Sequence, residues 1–235
     1  MVCSPQGESF EGEVSFLQQG RAELWNPMTG RVAPIPVQSD GDYTRVALKL
    51  ACGECVFVVF PHDGLPADAS TWNAVATYVP SASWTLTFNE GWGVDRPVKV
   101  ETLCAWKDLP LTDEGRAYSG TVVYDTRLRL PRRPSVESRY VLSLGRVEEI
   151  AVVEVNGHVC DTLWAAPYEV DVTPFVRKGN NRIRVRVTST WYNRLAYDAA
   201  LPEAERRTWV VNGPAAGSPL RESGLLGPVM LREER

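Results

Sequence analysis

The residues best suited to chemistry in this sequence lie in the short segment 191–198. An aromatic ring offers a flat apolar face to the C–H side of a pyranose, and planar polar groups hydrogen-bond sugar hydroxyls in pairs. This segment follows a predicted strand, Asn181–Val187, at a point where a β-sandwich places a loop at its rim. It therefore predicts a carbohydrate-binding site made of Trp191, Tyr192, Asn193, Arg194 and Asp198, with Tyr197 beside them.

The same residues also have a structural interpretation, which the sequence leaves open. Trp191 can close the end of a hydrophobic core, and Arg194 can pair with Asp198 to fix the loop. Trp164 is a second candidate platform for a sugar, because it lies between a strand ending at Val155 and one starting at Tyr168. Its alternative role is to cover the sandwich edge.

Catalytic groups are harder to find. A glycosidase needs two carboxyl groups about 5–10 Å apart, one of them with a raised pKa. Glu90 with Asp95, and Glu148 with Glu149, lie in polar turns without an apolar run beside them. The two histidines are not accompanied by a G-x-S-x-G motif, and no P-loop or dinucleotide motif occurs. We therefore predict no catalytic residue in this chain.

The cysteines give no metal or redox pattern. Their number, five, is odd, and two histidines are too few for a recognisable zinc motif. Cys52 and Cys55 form a C-x-x-C sequence directly before the predicted strand Val56–Phe60, with no helix behind it to lower a thiol pKa. The pattern favours a tight turn over a redox or metal site.

Composition sets further limits. The chain has 235 residues, 44% of them hydrophobic and 23% charged, which is typical of a globular protein. Its net charge of −4 provides no overall basic field for nucleic acid. No apolar run approaches the roughly 20 residues that cross a bilayer. We expect neither nucleic-acid nor membrane partners.

The elements that must position the candidate site are strands. Short alternating or β-branched runs recur between Gly, Asn and Pro turns, and helical periodicity is almost absent, so the pattern predicts an all-β fold. The predicted strands are 13–16, 22–25, 44–50, 56–60, 84–88, 98–103, 120–130, 140–144, 150–155, 168–172 and 181–187. Asn156-Gly157 predicts a type I′ hairpin turn. The charged groups 203–207 and 232–235 are interpreted as solvated faces.

A Pro-, Gly- and Ala-rich stretch suggests how the chain is divided. We predict a small β-domain over residues 1–61, a linker over 62–80 with at most a short helix around 68–75, and a β-sandwich over 81–235. The N-terminus shows neither a basic n-region nor an apolar h-region, so no secretion signal is readable. Localisation is not determined by this sequence.

The order of motifs resembles the galactose-binding-like jelly-roll domain of family 2 glycoside hydrolases and their relatives. V-x-V-N-G ends at Gly157, P-Y-x-V-D-V-T ends at Thr173, and G-N-N starts at Gly179. Three further motifs look like the C-terminal region of family 106 α-L-rhamnosidases: Y-S-G-T at 118–121, T-x-x-W-x-N-R-L at 188–195, and S-G-L-L-G-P-V at 223–229. The stretch 22–30 is similar to the small β-domain that precedes this jelly roll.

The resemblance implies a non-catalytic accessory module of a rhamnosidase-like hydrolase, whose (β/α)₈ catalytic barrel takes about 250 residues and is not in this chain. It implies a plant or microbial polysaccharide as partner, with rhamnose-containing pectin as the substrate class, and export to the periplasm or beyond. We expect the chain to be a fragment that begins inside the small β-domain. A structural scaffold without a ligand, or less favourably a self-sufficient hydrolase, are the alternatives. We expect no cofactor; a structural Ca²⁺ is the open alternative, with Asp125, Asp161 and Asp171 as the available carboxylates.

Overall fold

The computed structural model describes residues 1–5, 8–61 and 73–235, and the statements below refer to these residues. The chain divides into two compact units, Met1–Trp72 with Ala165–Pro167, and Asn73–Trp164 with Tyr168–Arg235. Both units consist mainly of antiparallel strands, so the predicted all-β fold class is confirmed. All eleven predicted strands are present, most of them with ends shifted by one to three residues.

The first unit contains two sheets around a small core. Its strands are β1 (Val2–Cys3), β2 (Phe10–Phe16), β3 (Ala22–Trp25), β4 (Val32–Ile35), β5 (Gln38–Asp40), β6 (Tyr43–Leu50) and β7 (Cys55–Val59). They are arranged in the orders β1-β7-β3-β4 and β2-β6-β5. The alternating side chains of β6 bury Val46 and Leu48 on one face, where they pack with Ala22.

A disulfide bond joins the first and last strands of this unit. Cys3 and Cys55 lie opposite each other in the β1–β7 register and are covalently linked. The C-x-x-C sequence does form the predicted turn, since the Glu54 amide donates a hydrogen bond to the Ala51 carbonyl at 3.0 Å. The partner of Cys55, however, is a cysteine 52 residues away in sequence.

The second unit is a β-sandwich with short helices. Its strands are β8 (Ala74–Tyr78), β9 (Trp84–Thr87), β10 (Val98–Val100), β11 (Thr121–Leu130), β12 (Arg139–Ser143), β13 (Arg146–Glu148), β14 (Ile150–Val155), β15 (His158–Leu163), β16 (Glu169–Asp171), β17 (Gly179–Thr188), β18 (Gly224–Gly227) and β19 (Met230–Glu234). Its α-helices are α1 (Asp113–Arg116) and α2 (Tyr192–Ala199), and single 3₁₀ turns cover Trp106–Asp108 and Glu203–Glu205.

Two main sheets enclose the core of the sandwich. The larger has the order β10-β9-β11-β17-β14-β15 and the smaller the order β16-β12-β19-β8, while β13 and β18 form a separate pair. Strands β11 and β17 pair over their full lengths, and each buries every second side chain. Trp84 and Trp106 are buried in this core.

A polar cluster holds the β14–β15 hairpin. Asn156 has the positive φ of 53° that the predicted type I′ turn requires, and Gly157 follows with φ 89°. The Asn156 side-chain amide donates to the Phe175 carbonyl and to the Asn181 side chain, each at 2.8 Å. The turn residue therefore also ties the hairpin to the start of β17.

The motif at 223–229 is explained by close packing around Gly224. Its φ is +110°, and a Cβ atom there would collide with the Trp106 indole and the Tyr124 hydroxyl. That hydroxyl accepts a hydrogen bond from Trp106 Nε1 at 2.6 Å and another from the Leu225 amide at 3.1 Å. Burial raises the pKa of Tyr124 to about 12, so the hydroxyl stays protonated.

Two sequence predictions need correction. Residues 62–72 of the predicted linker lie outside the described residues, but 74–78 form β8, which pairs with β19 as an edge strand of the sandwich. The tail 232–235 is not a solvated face, because β19 lies between β12 and β8 and buries Glu233 and Glu234. The guanidinium group of Arg232 donates to both carboxylate oxygens of Glu169 at 2.7 Å. This bidentate pair neutralises the positive charge of Arg232 within the sheet.

No helix within the described ranges is long and apolar enough to cross a bilayer.

Candidate functional site

The segment that sequence analysis placed on a rim loop forms a helix, α2. Its buried face is polar: Asn193, Arg194 and Asp198 are each 1% exposed. A helix in a globular protein normally turns its apolar side inward, so hydrophobic periodicity could not identify this one. The spacing of Arg194 and Asp198, four residues apart, places both on the same face of a single turn.

Asn193 connects α2 to the segment before β18. Its side chain donates to the Arg221 carbonyl at 2.9 Å and to Ser223 Oγ at 3.2 Å, and its oxygen accepts from the Arg221 amide at 2.8 Å. The side chain thus has protein partners for both its donor and its acceptor. It fixes the backbone of the family motif that starts at Ser223.

Arg194 is the centre of a buried ion cluster. Its Nη1 lies 2.7 Å from Glu114 Oε1, and its Nη2 lies 2.8 Å from Asp198 Oδ1. Asp198 Oδ2 also accepts hydrogen bonds from the Arg207 amide and from the amide and hydroxyl of Thr208. The cluster therefore joins α1, α2 and the segment after α2.

This arrangement corrects the expectation that Asn193, Arg194 and Asp198 face a sugar. All three are buried and turned toward protein partners, which is the structural role that the sequence had left open. Of the predicted segment, Trp191 remains 48% exposed and Tyr192 is half-buried. Of the five predicted site residues in this segment, only Trp191 and Tyr192 can reach a ligand without local rearrangement.

The ionisation of Asp198 stabilises the cluster. Burial opposes the charged form, but hydrogen bonds from Thr208 and Arg194 outweigh it and lower the pKa of Asp198. A carboxyl group whose pKa is lower in the folded state stabilises the fold above its unfolded pKa of about 3.9. This contribution disappears as the pH falls through the folded-state pKa.

The stability of the second unit should therefore depend on pH through the ionisation of Asp198. We expect Asp198→Asn to lower the melting temperature at pH 6, and the difference from the wild type to shrink as the pH falls below about 4. Thermal unfolding followed by near-UV circular dichroism between about pH 3 and pH 6 measures this difference. A difference that stays constant over that range would contradict the role assigned to the Asp198 carboxylate.

The indole of Trp191 is held in place by its neighbours at the end of the sandwich. Its ring lies edge-on to that of Trp92, with the ring centroids 5.6 Å apart. The guanidinium groups of Arg207 and Arg194 lie 3.8 Å and 4.9 Å from the Trp92 ring. We call Trp92, Trp191 and Arg207 the rim cluster, since it combines an exposed indole with an accessible guanidinium group.

Trp164 is 62% exposed and directly follows β15. Leu163 pairs with Ala151 on β14, and Ala151 pairs with Val187 on β17, so β15 and β17 end at the same end of the sheet. Because one strand separates them, their ends are about 10 Å apart. Trp164 and Trp191 are therefore at the same end of the sandwich.

Several residues of this region were not predicted as functional. Glu114 and Arg207 belong to the ion cluster through pairs between residues far apart in sequence, which local spacing cannot predict. Arg207 had been interpreted as part of the solvated charged group 203–207. Arg221 stacks over Tyr192 at 3.7 Å. The Gly91-Trp92-Gly93 sequence is the one local feature that could have indicated this cluster, because it places an indole on a turn.

A separate cleft of about 390 Å³ lies elsewhere on the second unit. Its walls are mainly apolar, with Val79, Trp84, Leu103 and Pro228 beside the polar groups of Ser81 and Glu101. None of the predicted site residues lines it. Its size falls within the range of small-molecule sites, but it has few convergent polar groups.

Across the described ranges, no group of three or more His, Cys, Asp and Glu side chains is placed to hold a metal ion. Asp125 lies in ion pairs with Arg182 and Arg184, and Asp171 is bound by Arg139. Two of the three carboxylates considered for calcium, Asp125 and Asp171, thus have arginine partners in this structure.

Comparison with known proteins supports the resemblance seen in the sequence. The chain is similar to a rhamnosidase from Novosphingobium sp. PP1Y, with 33% identity and a TM-score of 0.76 over 98% of this chain and 22% of that one. It is 28% identical to a Formosa agariphila protein named "Putative beta-glucuronidase", over 97% of this chain and 22% of that protein. The chain thus spans about a fifth of the length of either relative.

A more distant likeness concerns the fold alone. The beta-glucuronidase of Ruminococcus gnavus is 18% identical, with a TM-score of 0.50 over 74% of this chain and 30% of that one.

Residues 116–223 match the family described as "Glycosyl hydrolase 2 galactose-binding domain-like". This range begins in α1 and ends at Ser223, so it contains β11 to β17, α2 and the Arg194–Asp198 pair. Residues 116–223 are thus similar to the galactose-binding-like domain of glycosyl hydrolase family 2, and the whole chain is similar to a part of the Novosphingobium rhamnosidase.

Proposed function

We propose that this chain is a non-catalytic accessory part of a rhamnosidase-like glycoside hydrolase, and that it recognises a plant or microbial polysaccharide. The observation that carries the proposal is the pair of exposed indoles, Trp164 and Trp191, at one end of the galactose-binding-like sandwich. The likeness to the Novosphingobium rhamnosidase, which extends over 98% of this chain, supports a rhamnose-containing substrate class such as pectin.

The geometry of the rim cluster suits saccharide binding. The Trp92 ring restricts the Trp191 indole, so little side-chain freedom is lost when a sugar stacks on it. Arg207 has a half-exposed guanidinium group that can donate charge-assisted hydrogen bonds to neighbouring hydroxyls. A shallow site of this kind is expected to bind with a Kd of about 0.1–1 mM.

The non-catalytic part of the proposal is supported by the carboxyl groups that are most strongly perturbed. Burial raises the pKa values of Asp171, Asp198 and Glu233, but hydrogen bonds and nearby arginines reverse this, so all three pKa values are lowered. A glycosidase general acid needs a raised pKa. These three groups are therefore unsuited to protonate a leaving group, and we assign the chemistry to a catalytic barrel of the parent enzyme.

The Cys3–Cys55 disulfide supports a place of action outside the cytoplasm. Disulfides persist in oxidising compartments such as the bacterial periplasm and the extracellular space. We propose that the parent enzyme is exported, which agrees with a polysaccharide substrate too large to enter a cell.

A scaffold role is the second candidate, and a specific observation favours it. The consecutive residues Trp209, Val210 and Val211 are exposed, Trp209 by 78%. An apolar run of this kind is typical of a surface that another domain covers. In that case the sandwich supports the catalytic barrel and binds no sugar by itself.

Affinity electrophoresis in gels containing rhamnogalacturonan, galactan, xylan or cellulose separates the two candidates. We expect retardation by at least one of these polysaccharides, and Trp191→Ala should weaken binding about tenfold because a stacked aromatic contributes on the order of 1 kcal/mol or more. Trp164→Ala should have a similar effect. Trp25→Ala serves as the matched control, since this indole is also exposed but belongs to the first unit.

Unchanged mobility of the wild type in all four gels would reject the saccharide proposal and leave the scaffold. Equal weakening by Trp25→Ala would reject the rim as the site. Hydrolysis of an aryl-rhamnoside by the purified chain would contradict its non-catalytic character.

A further inference from the structure

The outward face of the large sheet carries a concentration of arginines on its two longest strands. On β17, residues 182, 184 and 186 alternate with the buried Asn181, Ile183 and Val185. On β11, residues 127 and 129 alternate with the buried Leu128 and Leu130. Since alternate side chains of a strand share a face, these five lie on the side opposite the core. We call Arg127, Arg129, Arg182, Arg184 and Arg186 the basic face.

The register between the two strands brings these charges together. Arg127 lies directly opposite Arg182, and Arg129 lies opposite Asn180. Like charges at directly opposed positions of an antiparallel pair are destabilising. The Arg127–Arg182 juxtaposition is thus a local cost that a bound anion would relieve.

The face has few negative charges of its own. Asp125 lies within 2.8 Å of Arg182 and 3.2 Å of Arg184, so one carboxylate serves two guanidinium groups. Glu154 on β14 lies opposite Arg184 in the register. Arg127, Arg129 and Arg186 are exposed and make no ion pair with any residue that the structure describes. Three guanidinium groups are therefore available on a chain whose net charge is −4.

The basic character continues past the ends of the two strands. Leu130 pairs with Gly179 at one end of the β11–β17 ladder. Arg132 and Arg133 follow β11 there, and Arg177 and Lys178 precede β17; all four are exposed. The positive charge thus extends as a band over the sheet rather than as an isolated patch.

We propose that the basic face binds an acidic polysaccharide that carries its charges as carboxylates, such as a polyuronate. The guanidinium fork matches a carboxylate in two parallel hydrogen bonds. Successive arginines on one strand are about 7 Å apart, a repeat suited to a linear chain with regularly spaced charges. Thr87 and Thr188 are exposed and Thr121 is half-buried at neighbouring outward positions, and the hydroxyls of Thr121 and Thr188 bond each other at 2.8 Å. A hydroxyl can both donate and accept, so these groups can also bind sugar hydroxyls.

Two features favour a polysaccharide over nucleic acid. The outward positions of β9, β11, β14 and β17 contain no aromatic side chain, so unpaired bases would have no stacking surface there. The face is also flat strand surface without an element that enters a groove of a duplex. This site lies on the sheet face and does not depend on the rim indoles, so it does not rest on the proposed function.

Titration of the whole chain with polygalacturonate, followed by calorimetry at low ionic strength, tests the proposal. We expect binding that weakens with added salt, and a loss of about tenfold or more in affinity for the triple variant Arg127→Gln/Arg129→Gln/Arg186→Gln. These three side chains are exposed, so the variant should fold. The corresponding triple lysine variant keeps the charge and should lose part of the affinity, because it lacks the fork.

The matched control is Arg45→Gln/Lys49→Gln/Arg96→Gln, which removes the same charge from exposed positions outside this face. It should change the affinity by less than about twofold, and Trp191→Ala should leave it unchanged. Equal weakening by this control would overturn the proposal, as would wild-type binding of poly-glutamate or single-stranded DNA at least as tight as that of polygalacturonate. Absence of polygalacturonate binding would overturn it as well, whatever the outcome for the rim.

Discussion

Asp198→Ala is expected to lower the free energy of unfolding of the second unit by about 3–5 kcal/mol. The substitution leaves the buried Arg194 guanidinium group without its buried counter-charge, because Asp198 is almost completely inaccessible whereas its other partner, Glu114, is partly exposed. It also removes the acceptor for the Arg207 amide and for the amide and hydroxyl of Thr208. Urea unfolding followed by intrinsic fluorescence measures the loss.

A surface ion pair provides the matched control. Asp113 pairs with Arg116 on α1, where the aspartate side chain is 80% exposed, so Asp113→Ala should change stability by no more than about 1 kcal/mol. The double variant Arg194→Met/Asp198→Asn removes the buried charge along with its partner and should be more stable than Asp198→Ala. If Asp198→Ala were no more destabilising than Asp113→Ala, the ion cluster would not be what holds α2.

Loss of this cluster should also affect the rim. Arg207 and Arg194 pack against Trp92, which in turn contacts Trp191. In the proposed saccharide site, the buried charges would therefore position an indole rather than touch a sugar. This role explains why residues of the right type for sugar binding occur at these positions and yet point inward.

Removal of the disulfide bond should have an effect of similar size on the first unit. Cys3→Ser/Cys55→Ser is expected to lower its free energy of unfolding by about 4 kcal/mol, the chain-entropy value for a loop of about 50 residues. Among its described residues, the unit buries five apolar side chains, Ala22, Val46, Leu48, Leu50 and Val56, of which the first three form one cluster. Small cores of this kind depend on covalent links for their stability.

Unfolding with and without dithiothreitol, monitored by Trp25 in the first unit, measures the effect. Reduction of the wild type should reproduce the double serine variant, whereas Cys160→Ser, a substitution in the second unit, should leave the transition of the first unit unchanged. A transition that does not respond to reductant would show that the disulfide contributes no stability.

The sequence predicted the strands of the sandwich well, because each was marked by local information. Alternation along 120–130 and 181–187 is strong, and Asn156-Gly157 marks its hairpin through the need for positive φ. Strands without such marks were not identified. β8 follows a segment rich in Pro, Gly and Ala. β19 is so charged that it was interpreted as a solvated tail, since Glu169, which pairs with Arg232, and Ser138, which donates to Glu233, are far away in sequence.

The candidate site was predicted in composition but not in orientation. The residue types in 191–198 suit a saccharide, and Trp191 is exposed as that interpretation requires. The burial of Arg194 depends on Glu114, 80 residues earlier, and no local pattern encodes that pairing. The Cys3–Cys55 bond was missed for the same reason, because the nearby Cys52 made a local motif more conspicuous than the cross-strand register.

The most direct measurement of saccharide recognition at the rim is a ¹H–¹⁵N correlation spectrum of the tryptophan side chains during titration with a rhamnogalacturonan oligosaccharide. The chain has eight tryptophans, and single substitutions assign their indole N–H signals. We predict that the signals of Trp191 and Trp164 shift with increasing ligand while those of the buried Trp84 and Trp106 stay in place. A spectrum in which neither the Trp191 nor the Trp164 signal moves at millimolar ligand would contradict the assignment of the rim as a saccharide site.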